Sequence, residues 1–271
     1  MRPDSRGARA AKRRRTPQQP KPRQDARTLL RVAGLPAVTA LFAAAPERVE
    51  RLFFDERMKS AVSGFCMTLA RARKPYRLVP AAELERVAGG AMHGGVVAVA
   101  QPRPVLPLDP AEALLWARDG KPLLLLDGVG NPHNLGAIAR SAAFFGLTRL
   151  VLSDHAAQAL PSDASYRVAE GGLEQLAVYR AADMPTVLRR LKGSYRVLGA
   201  ALERGTPLAS LAPTARPPAL VLGNEEAGLP RATLAACDEI VTIPGAGPVQ
   251  SLNVSVSAGI LLYALQLRAK A

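Results

Sequence analysis

Several classes of protein are excluded by what this sequence has little of. Aromatic residues make up only 4% of the 271 residues, so stacking of bases on a wide aromatic surface is not expected as a main binding mode. The two cysteines, Cys66 and Cys237, form neither a CxxC motif nor a metal-ligand spacing, and we expect two buried, reduced thiols. No apolar run reaches the ~18 residues of a membrane helix, and no apolar stretch follows the charged N-terminus as in a secretory signal. The sequence predicts a cytoplasmic protein without a membrane anchor.

Positive charge is what the sequence has in excess. The formal net charge is +14 and the pI about 10.6, which favours a polyanionic partner, nucleic acid before a membrane. Residues 1–28 alone hold ten basic side chains against two acidic ones, with several prolines. Such a segment buries too little apolar surface to offset the entropy of ordering, so we interpret it as a disordered basic tail. It could neutralise RNA phosphates or only improve solubility; the prolines argue against an amphipathic transit peptide.

Two blocks of alternating helices and strands follow the tail. Within residues 29–101, helices predicted over 37–44, 59–72 and 81–87 alternate with strands over 49–54, 76–78 and 96–100, which indicates a small α/β domain. Four prolines then fall within residues 102–110, which predicts an extended linker over 102–120. From 121 to 271, short apolar runs alternate with helical stretches. Runs that are continuously apolar are typical of buried parallel strands with helices on both faces.

Three turns rich in glycine and asparagine each come directly after one of these apolar runs. They are residues 127–141 (DGVGNPHNLGAIARS), 222–229 (LGNEEAGL) and 243–253 (IPGAGPVQSLN). Because ligands bind at the carboxyl ends of strands in open α/β sheets, we expect the three turns to build one site. Asn131 and Pro132 are good cap and first-position residues for a helix beginning there. The glycines and prolines fit recognition of a planar ligand against bare main chain.

Several common motifs are missing from these turns. Gly128 and Gly130 begin a dinucleotide fingerprint, but His133 stands where its third glycine belongs, and there is no G-K-[ST] of a phosphate-binding loop. No histidine pair or acidic cluster has the spacing of a metal site, so no metal is expected. No Ser-His-Asp set is evident from the spacing, although Ser251 and His133 could meet in space.

The helix predicted after Asn131 carries an arginine on its outer face. At 100° per residue, Arg140 points nearly opposite the apolar face, and Phe144 lies one turn beyond it on the same side. A lone arginine in such a place is ordinarily solvated. A bulky apolar neighbour instead suggests that another subunit covers this face.

Residues 131–141, 222–229 and 243–256 resemble, in order and spacing, the three motifs of the SpoU/TrmH family of RNA ribose 2′-O-methyltransferases, in the SPOUT superfamily. Residues 29–101 are similar to the small RNA-binding domain that often precedes the catalytic domain. The resemblance implies a mostly parallel α/β sheet with a C-terminal trefoil knot, a rare exception to unthreaded chains. It also implies S-adenosylmethionine bound largely through main chain, and a homodimer formed through a C-terminal helix over 252–268. The stripe on that helix comprises Val256, Ile260, Tyr263 and Leu267.

The resemblance also assigns site residues by position. The catalytic set that it implies is Asn134, Arg140, Glu225, Ser251 and Asn253. The cofactor-binding set that it implies is Leu222, Gly223, Ile243, Leu252 and Asn253. Since a guanidinium holds its proton throughout the physiological pH range, Arg140 is an awkward general base. We favour a clamp on the RNA phosphate beside the target ribose, with assistance to proton transfer.

Some questions stay open at the level of sequence. Glu225 would orient Arg140 or the motif turn, and the departures Asn224, Glu226-Ala227 and Gly245 leave the subfamily and the substrate undecided. The RNA could be ribosomal or transfer RNA, with ribosomal RNA favoured by analogy with the N-terminal domain. A catalytically silent RNA-binding or ribosome-assembly factor is the main alternative, and a base methyltransferase of the same superfamily is a remoter one.

Overall fold

The computed structural model describes residues 29–90, 92–202 and 205–268, so the predicted basic tail lies outside the described residues. The first part of the chain forms a four-stranded mixed sheet in the order β1-β4-β2-β3. Its strands are β1 (Leu30–Ala33), β2 (Val49–Phe54), β3 (Tyr76–Leu78) and β4 (Val96–Ala100). Its helices are α1 (Leu35–Ala44), α2 (Ser63–Arg71) and α3 (Ala81–Ala88). The predicted helices and strands are all present, and β1 is an addition that the sequence pattern did not reveal.

The second part forms an eight-stranded sheet in the order β10-β12-β9-β11-β6-β7-β8-β5, in which every pair of neighbours is parallel. The strands are β5 (Leu106–Pro107), β6 (Leu123–Asp127), β7 (Arg149–Ser153), β8 (Ala177–Ala181), β9 (Arg196–Ala200), β10 (Thr206–Pro207), β11 (Pro218–Gly223) and β12 (Glu239–Thr242). The helices are α4 (Pro110–Trp116), α5 (Pro132–Phe144), α6 (Asp163–Ala169), α7 (Met184–Leu191), α8 (Arg231–Ala236) and α9 (Val254–Arg268).

Helices cover both faces of this sheet, as the continuous apolar runs predict. Every residue of β6 is buried: Leu124 and Leu126 belong to one apolar cluster, and Leu123 and Leu125 to a second one. Because side chains alternate along a strand, the two clusters lie on opposite faces. The α/β class with a mostly parallel sheet is confirmed; the trefoil knot stays a prediction. Among the described residues, no helix is both long and apolar enough to cross a membrane.

The two sheets share one core instead of standing apart. A single apolar cluster includes Val38 and Leu41 of α1 together with Leu135 of α5. The segment 102–120, predicted as a linker, contains β5, which pairs with β8, and α4, which packs on α7. This segment therefore belongs to the second sheet, whereas the domain boundaries themselves stay a prediction.

Two further expectations are modified by the structure. Cys237 is buried, and burial raises the pKa of its thiol to about 11, but Cys66 is only half-buried. The C-terminal helix begins at Val254 instead of residue 252, because the Asn253 side chain caps it: the Asn253 Oδ1 accepts a hydrogen bond from the Ser255 N–H at 2.8 Å.

Candidate active site

A hydrogen-bonded group joins the three glycine-rich turns. The Asn253 Nδ2 donates to the Asn134 Oδ1 at 3.1 Å, and the Asn134 Nδ2 donates to the Glu225 Oε1 at 2.8 Å. Asn134 lies on α5, Glu225 follows β11, and Asn253 precedes α9. Direct side-chain contacts therefore join the three turns, as the sequence predicts for a single site.

Glu225 is held by the start of α5. Its carboxylate accepts hydrogen bonds from the Gly130 N–H at 3.1 Å and the Asn131 N–H at 3.2 Å, in addition to Asn134. Helix N-termini favour negative charge because their first N–H groups lack partners within the helix. Glu225 is exposed, but partial desolvation of its carboxylate raises the pKa; the hydrogen bonds from Asn134 and the two backbone N–H groups outweigh this, so the pKa lies below its ordinary value. Glu225 therefore acts as an ionised acceptor that fixes the first turn and Asn134.

Asn224 ties the second turn to the first. Its Nδ2 donates to the Gly128 carbonyl at 2.8 Å, while its Oδ1 accepts from the N–H groups of Glu226 at 3.0 Å and Ala227 at 2.9 Å. A Cβ at Gly223 would lie 2.4 Å from the Gly228 carbonyl carbon, so only glycine fits there. The sequence singled out Asn224 only as a departure; in the structure its amide defines the shape of both turns.

Gln158 is a buried residue of this site that sequence reasoning missed. Its Oε1 accepts from the Gly128 N–H at 2.9 Å, and its Nε2 donates to the carbonyls of Val129 and Ala159, both at 3.1 Å. The first turn is thus held by Gln158 from the β7–α6 connection as well as by Glu225 and Asn224. A glutamine within the short apolar stretch 156–160 is the single weak signal that the sequence offers.

The residues predicted to bind a cofactor present main chain more than side chain. The Leu222 side chain is 1% exposed and belongs to the core, and Gly223 is also buried. Ile243 is half-buried and Leu252 is exposed. Around Gly245 and Gly247, no atom lies within 4 Å of where a Cβ would stand, so the main chain of the third turn is uncovered. No group of three His, Cys, Asp or Glu side chains that could hold a metal occurs in the described part of the chain.

Arg140 and Ser251 lie outside the hydrogen-bonded group. Arg140 is six residues beyond Asn134, about 9 Å further along α5 at 1.5 Å per residue. Its guanidinium forms an ion pair with Glu170, with 2.8 Å between Nη2 and Oε2. Glu225 therefore orients the first turn, and the carboxylate beside Arg140 is that of Glu170. Ser251 is exposed, two residues before Asn253.

An apolar surface runs beside Arg140 and along α9. Phe144 is 84% exposed, and the four stripe residues Val256, Ile260, Tyr263 and Leu267 are between 37% and 55% exposed. The opposite side of α9 is buried in the core through Ala258, Leu261, Leu262 and Leu265. The Phe145 ring connects the two parts: it contacts the Phe144 ring at 5.3 Å and the Tyr263 ring at 6.2 Å between centroids.

A parallel α/β sheet with these three joined turns is what the resemblance to RNA ribose methyltransferases implies, and comparison with known families agrees. The model of the SpoU rRNA Methylase family matches residues 121–263. A second model, RNA 2′-O ribose methyltransferase substrate binding, matches residues 31–106. The chain belongs to the SpoU rRNA methylase family, and it is an RNA 2′-O-ribose methyltransferase.

Two relatives match this chain over nearly their whole length. It is 34% identical over 242 residues to the 23S rRNA (guanosine-2′-O-)-methyltransferase RlmB of Acinetobacter baylyi, covering 85% of this chain and 94% of that protein. It is 33% identical over 241 residues to RlmB of Escherichia coli K12, covering 86% and 96%. Among solved structures, the SpoU methyltransferase AviRb from Streptomyces viridochromogenes in complex with the cofactor AdoMet is similar, with a TM-score of 0.68, 25% identity and coverage of 90% and 91%.

Proposed function

We propose that the chain transfers the methyl group of S-adenosylmethionine to the 2′-hydroxyl of a guanosine ribose in 23S ribosomal RNA. The observation that carries the proposal is the chain of hydrogen bonds from Asn253 through Asn134 to Glu225, which unites the three turns. The guanosine and the 23S RNA come from the two RlmB relatives. A ribosomal RNA substrate implies that the chain acts in the cytoplasm.

The turns fit S-adenosylmethionine held through main chain. The uncovered backbone at Gly245 and Gly247 leaves N–H and carbonyl groups accessible, and the buried Leu222 side chain leaves only its backbone to face a ligand. Leu222, Gly223, Ile243 and Leu252 would hold the molecule, together with Asn253. When bound, it supplies an electrophilic methyl group on a sulfonium, a good leaving group, so the main task of the protein is to position the ribose hydroxyl, whose proton passes to solvent water as the oxygen takes the methyl group.

Each polar residue then has a separate task. Glu225 stays ionised and fixes Asn134, and Asn134 fixes the amide of Asn253, so both amides are preorganised before RNA arrives. Ser251 and Asn253 orient the ribose 2′-hydroxyl by hydrogen bonds. Arg140 clamps the neighbouring phosphate with its forked donors, and its positive charge favours loss of the hydroxyl proton. The separation of about 9 Å from Asn134 along α5 suits a contact with the RNA backbone more than one with the reacting hydroxyl.

We also propose that two copies associate through α9. The apolar stripe and Phe144 form an exposed surface beside a helix whose other side is already buried. Exposed contiguous apolar surface of this kind marks interaction sites, and most soluble homo-oligomers are twofold dimers. Arg140 lies one turn from Phe144 on α5, so this interface would border the phosphate clamp.

The function is tested with purified protein, transcribed 23S RNA and S-adenosylmethionine. We expect one 2′-O-methylguanosine by mass-spectrometric nucleoside analysis, and a linkage that resists ribonuclease T2. R140A should lower methyl transfer by about 100-fold or more and leave cofactor affinity, measured by calorimetry, unchanged. R189A, at an exposed arginine of α7, serves as control.

Three outcomes would contradict parts of this proposal. RNA binding without methyl transfer would favour a silent RNA-binding factor. A T2-sensitive product would indicate base methylation. Equal loss of cofactor binding and transfer in R140A would exclude the clamp.

A further inference from the structure

The connection between α6 and β8 contacts both helix α5, which carries Arg140, and the first part of the chain. We call residues 170–174 the Glu170–Glu174 turn. Glu170 ends α6 in the left-handed region, with φ 44° and ψ 43°, and Gly171 follows at φ 96°. A left-handed backbone is unfavourable for a glutamate and requires support from its surroundings. The turn must therefore be fixed by what it packs against.

The turn is wedged between α5 and α1. A Cβ at Gly172 would lie 2.8 Å from the Arg140 Cα, so the turn touches the backbone of Arg140 itself. A Cβ at Gly171 would lie 2.6 Å from the Ala40 Cβ of α1. Both glycines are needed because neither contact leaves room for a side chain.

A buried ion pair fastens the other end of the turn. The Glu174 side chain is fully buried, and its Oε2 lies 2.7 Å from the Arg48 Nη1. Arg48 directly precedes strand β2 of the first sheet. The Arg103 Nη1 donates to the Glu174 carbonyl at 2.8 Å. Breaking a buried pair is costly because the remaining charge stays uncompensated. The turn is thus attached to the first sheet at one end and carries Glu170 at the other.

The ion pair between Glu170 and Arg140 is different in kind. Both side chains are about half exposed, at 46% and 57%, and within the described part of the chain the contact joins the Arg140 Nη2 to the Glu170 Oε2. Exposed ion pairs add little to stability, so stability does not explain a glutamate in a left-handed conformation here. The single contact leaves the Nε and Nη1 donors of the guanidinium available for another acceptor.

We propose that Glu170 is a positioning residue for Arg140. It restricts the long arginine side chain before RNA binds, so that less conformational freedom is lost when the phosphate is engaged. Because the turn also rests on α1 and Arg48, the guanidinium keeps a fixed place relative to the substrate-binding region. The inference rests on the proposed function of Arg140 as a phosphate clamp.

The test compares E170A, E170Q and a matched control in steady-state methylation of 23S RNA. D119A removes the carboxylate from another exposed pair, Arg149–Asp119, with 2.7 Å between Nη1 and Oδ2. For E170A we expect kcat about tenfold lower, and KM for RNA unchanged or lower, because a negative charge near the phosphate is gone. Cofactor affinity and Tm should not change. E170Q keeps an acceptor oxygen and should recover most of kcat, whereas D119A should keep the wild-type kcat.

The outcomes separate this inference from the proposed function. Loss of transfer in R140A with a normal kcat in E170A would overturn only the role of Glu170. Full transfer in R140A would overturn the clamp and this inference together. A lower kcat in E170A that follows a lower Tm or weaker cofactor binding would indicate a structural role, and would also overturn it.

Discussion

Replacing Glu225 by glutamine is the sharpest test of how the three turns are held together. One carboxylate oxygen accepts from the Gly130 N–H, and the other accepts from the Asn131 N–H and the Asn134 Nδ2. A glutamine keeps one oxygen and places an NH2 group where the other oxygen was. In its best orientation the glutamine oxygen keeps the contacts with Asn131 and Asn134, but its NH2 group then faces the Gly130 N–H, so two donors meet and the Gly130 hydrogen bond is lost. E225Q also removes the negative charge at the start of α5.

The size of the effect follows from these losses. Hydrogen bonds to charged groups contribute roughly 1.5–3 kcal/mol, but Glu225 is exposed, so the net cost of E225Q is discounted to about 1 kcal/mol. For a chain of this size that corresponds to a fall in Tm of about 2–4 °C. Because Asn134 and Asn253 lose their anchor, we expect kcat to fall by about tenfold to 100-fold.

The direction of the pKa shift of Glu225 predicts how the stability difference between wild type and E225Q changes with pH. The pKa of Glu225 is lowered below 4.5, so its contribution to stability is complete above that value and is lost as the pH falls through the folded-state pKa. The difference in Tm between wild type and E225Q should therefore be constant near neutral pH and shrink in acid. Thermal unfolding followed by circular dichroism from pH 7 down to pH 3.5 measures it, with E226Q, at the adjacent exposed glutamate, as control. A difference that is the same at every pH, or an E225Q variant with wild-type kcat, would refute the reasoning.

Three other predictions concern residues other than Glu225. I260E places a charge in the apolar stripe of α9, and sedimentation should then give a monomer where wild type gives a dimer; an unchanged mass would exclude this interface. Q158L leaves the buried Gly128 N–H without its partner, at about 1–3 kcal/mol, whereas the Val129 carbonyl keeps its hydrogen bond from the Ala159 N–H; Tm should fall by a few degrees, and Q175L, at an exposed position, should not change it. Deleting residues 1–28 should weaken RNA binding at low salt and flatten the plot of log affinity against log salt concentration; an identical slope would show that the tail does not contact phosphates.

The sequence predicted those parts of the fold whose pattern is local. The strands β6 and β11 are buried on both faces, so their runs are apolar throughout and easily recognised. By contrast, β1 reads LRVA and β8 reads AVYRA, each short and interrupted by an arginine. Their place in a sheet follows from pairing with distant strands, which periodicity within a few residues does not report. The segment 102–120 contains the two-residue edge strand β5, and its prolines are compatible with such an edge strand as well as with the predicted linker, so the sequence pattern does not distinguish the two.

The same distinction between local patterns and distant contacts applies to the residues of the candidate site. Asn134, Glu225 and Asn253 lie in recognisable motifs, and the structure brings them into contact. Gln158 and Glu170 were missed because each acts on a residue about 30 positions away, and neither belongs to a motif. Contacts of this kind depend on how the β7–α6 and α6–β8 connections fold back on α5.

The separation of Arg140 from Asn134 bears on which chemical role each residue can have. Six residues of helix rotate the side chain by 600°, so Arg140 and Asn134 point to different sides of α5 and stand about 9 Å apart along its axis. A residue that removes a proton must approach it within hydrogen-bonding distance, and a group anchored to Glu170 on another side of the helix is poorly placed for that task within one copy of the chain. A clamp has no such requirement, because an RNA strand running along α5 presents a phosphate beside one end of the helix while a ribose faces the other. The arrangement therefore supports the proposed role of Arg140 as a contact to the RNA backbone, separate from the proposed orientation of the reacting hydroxyl by Asn253 and Ser251.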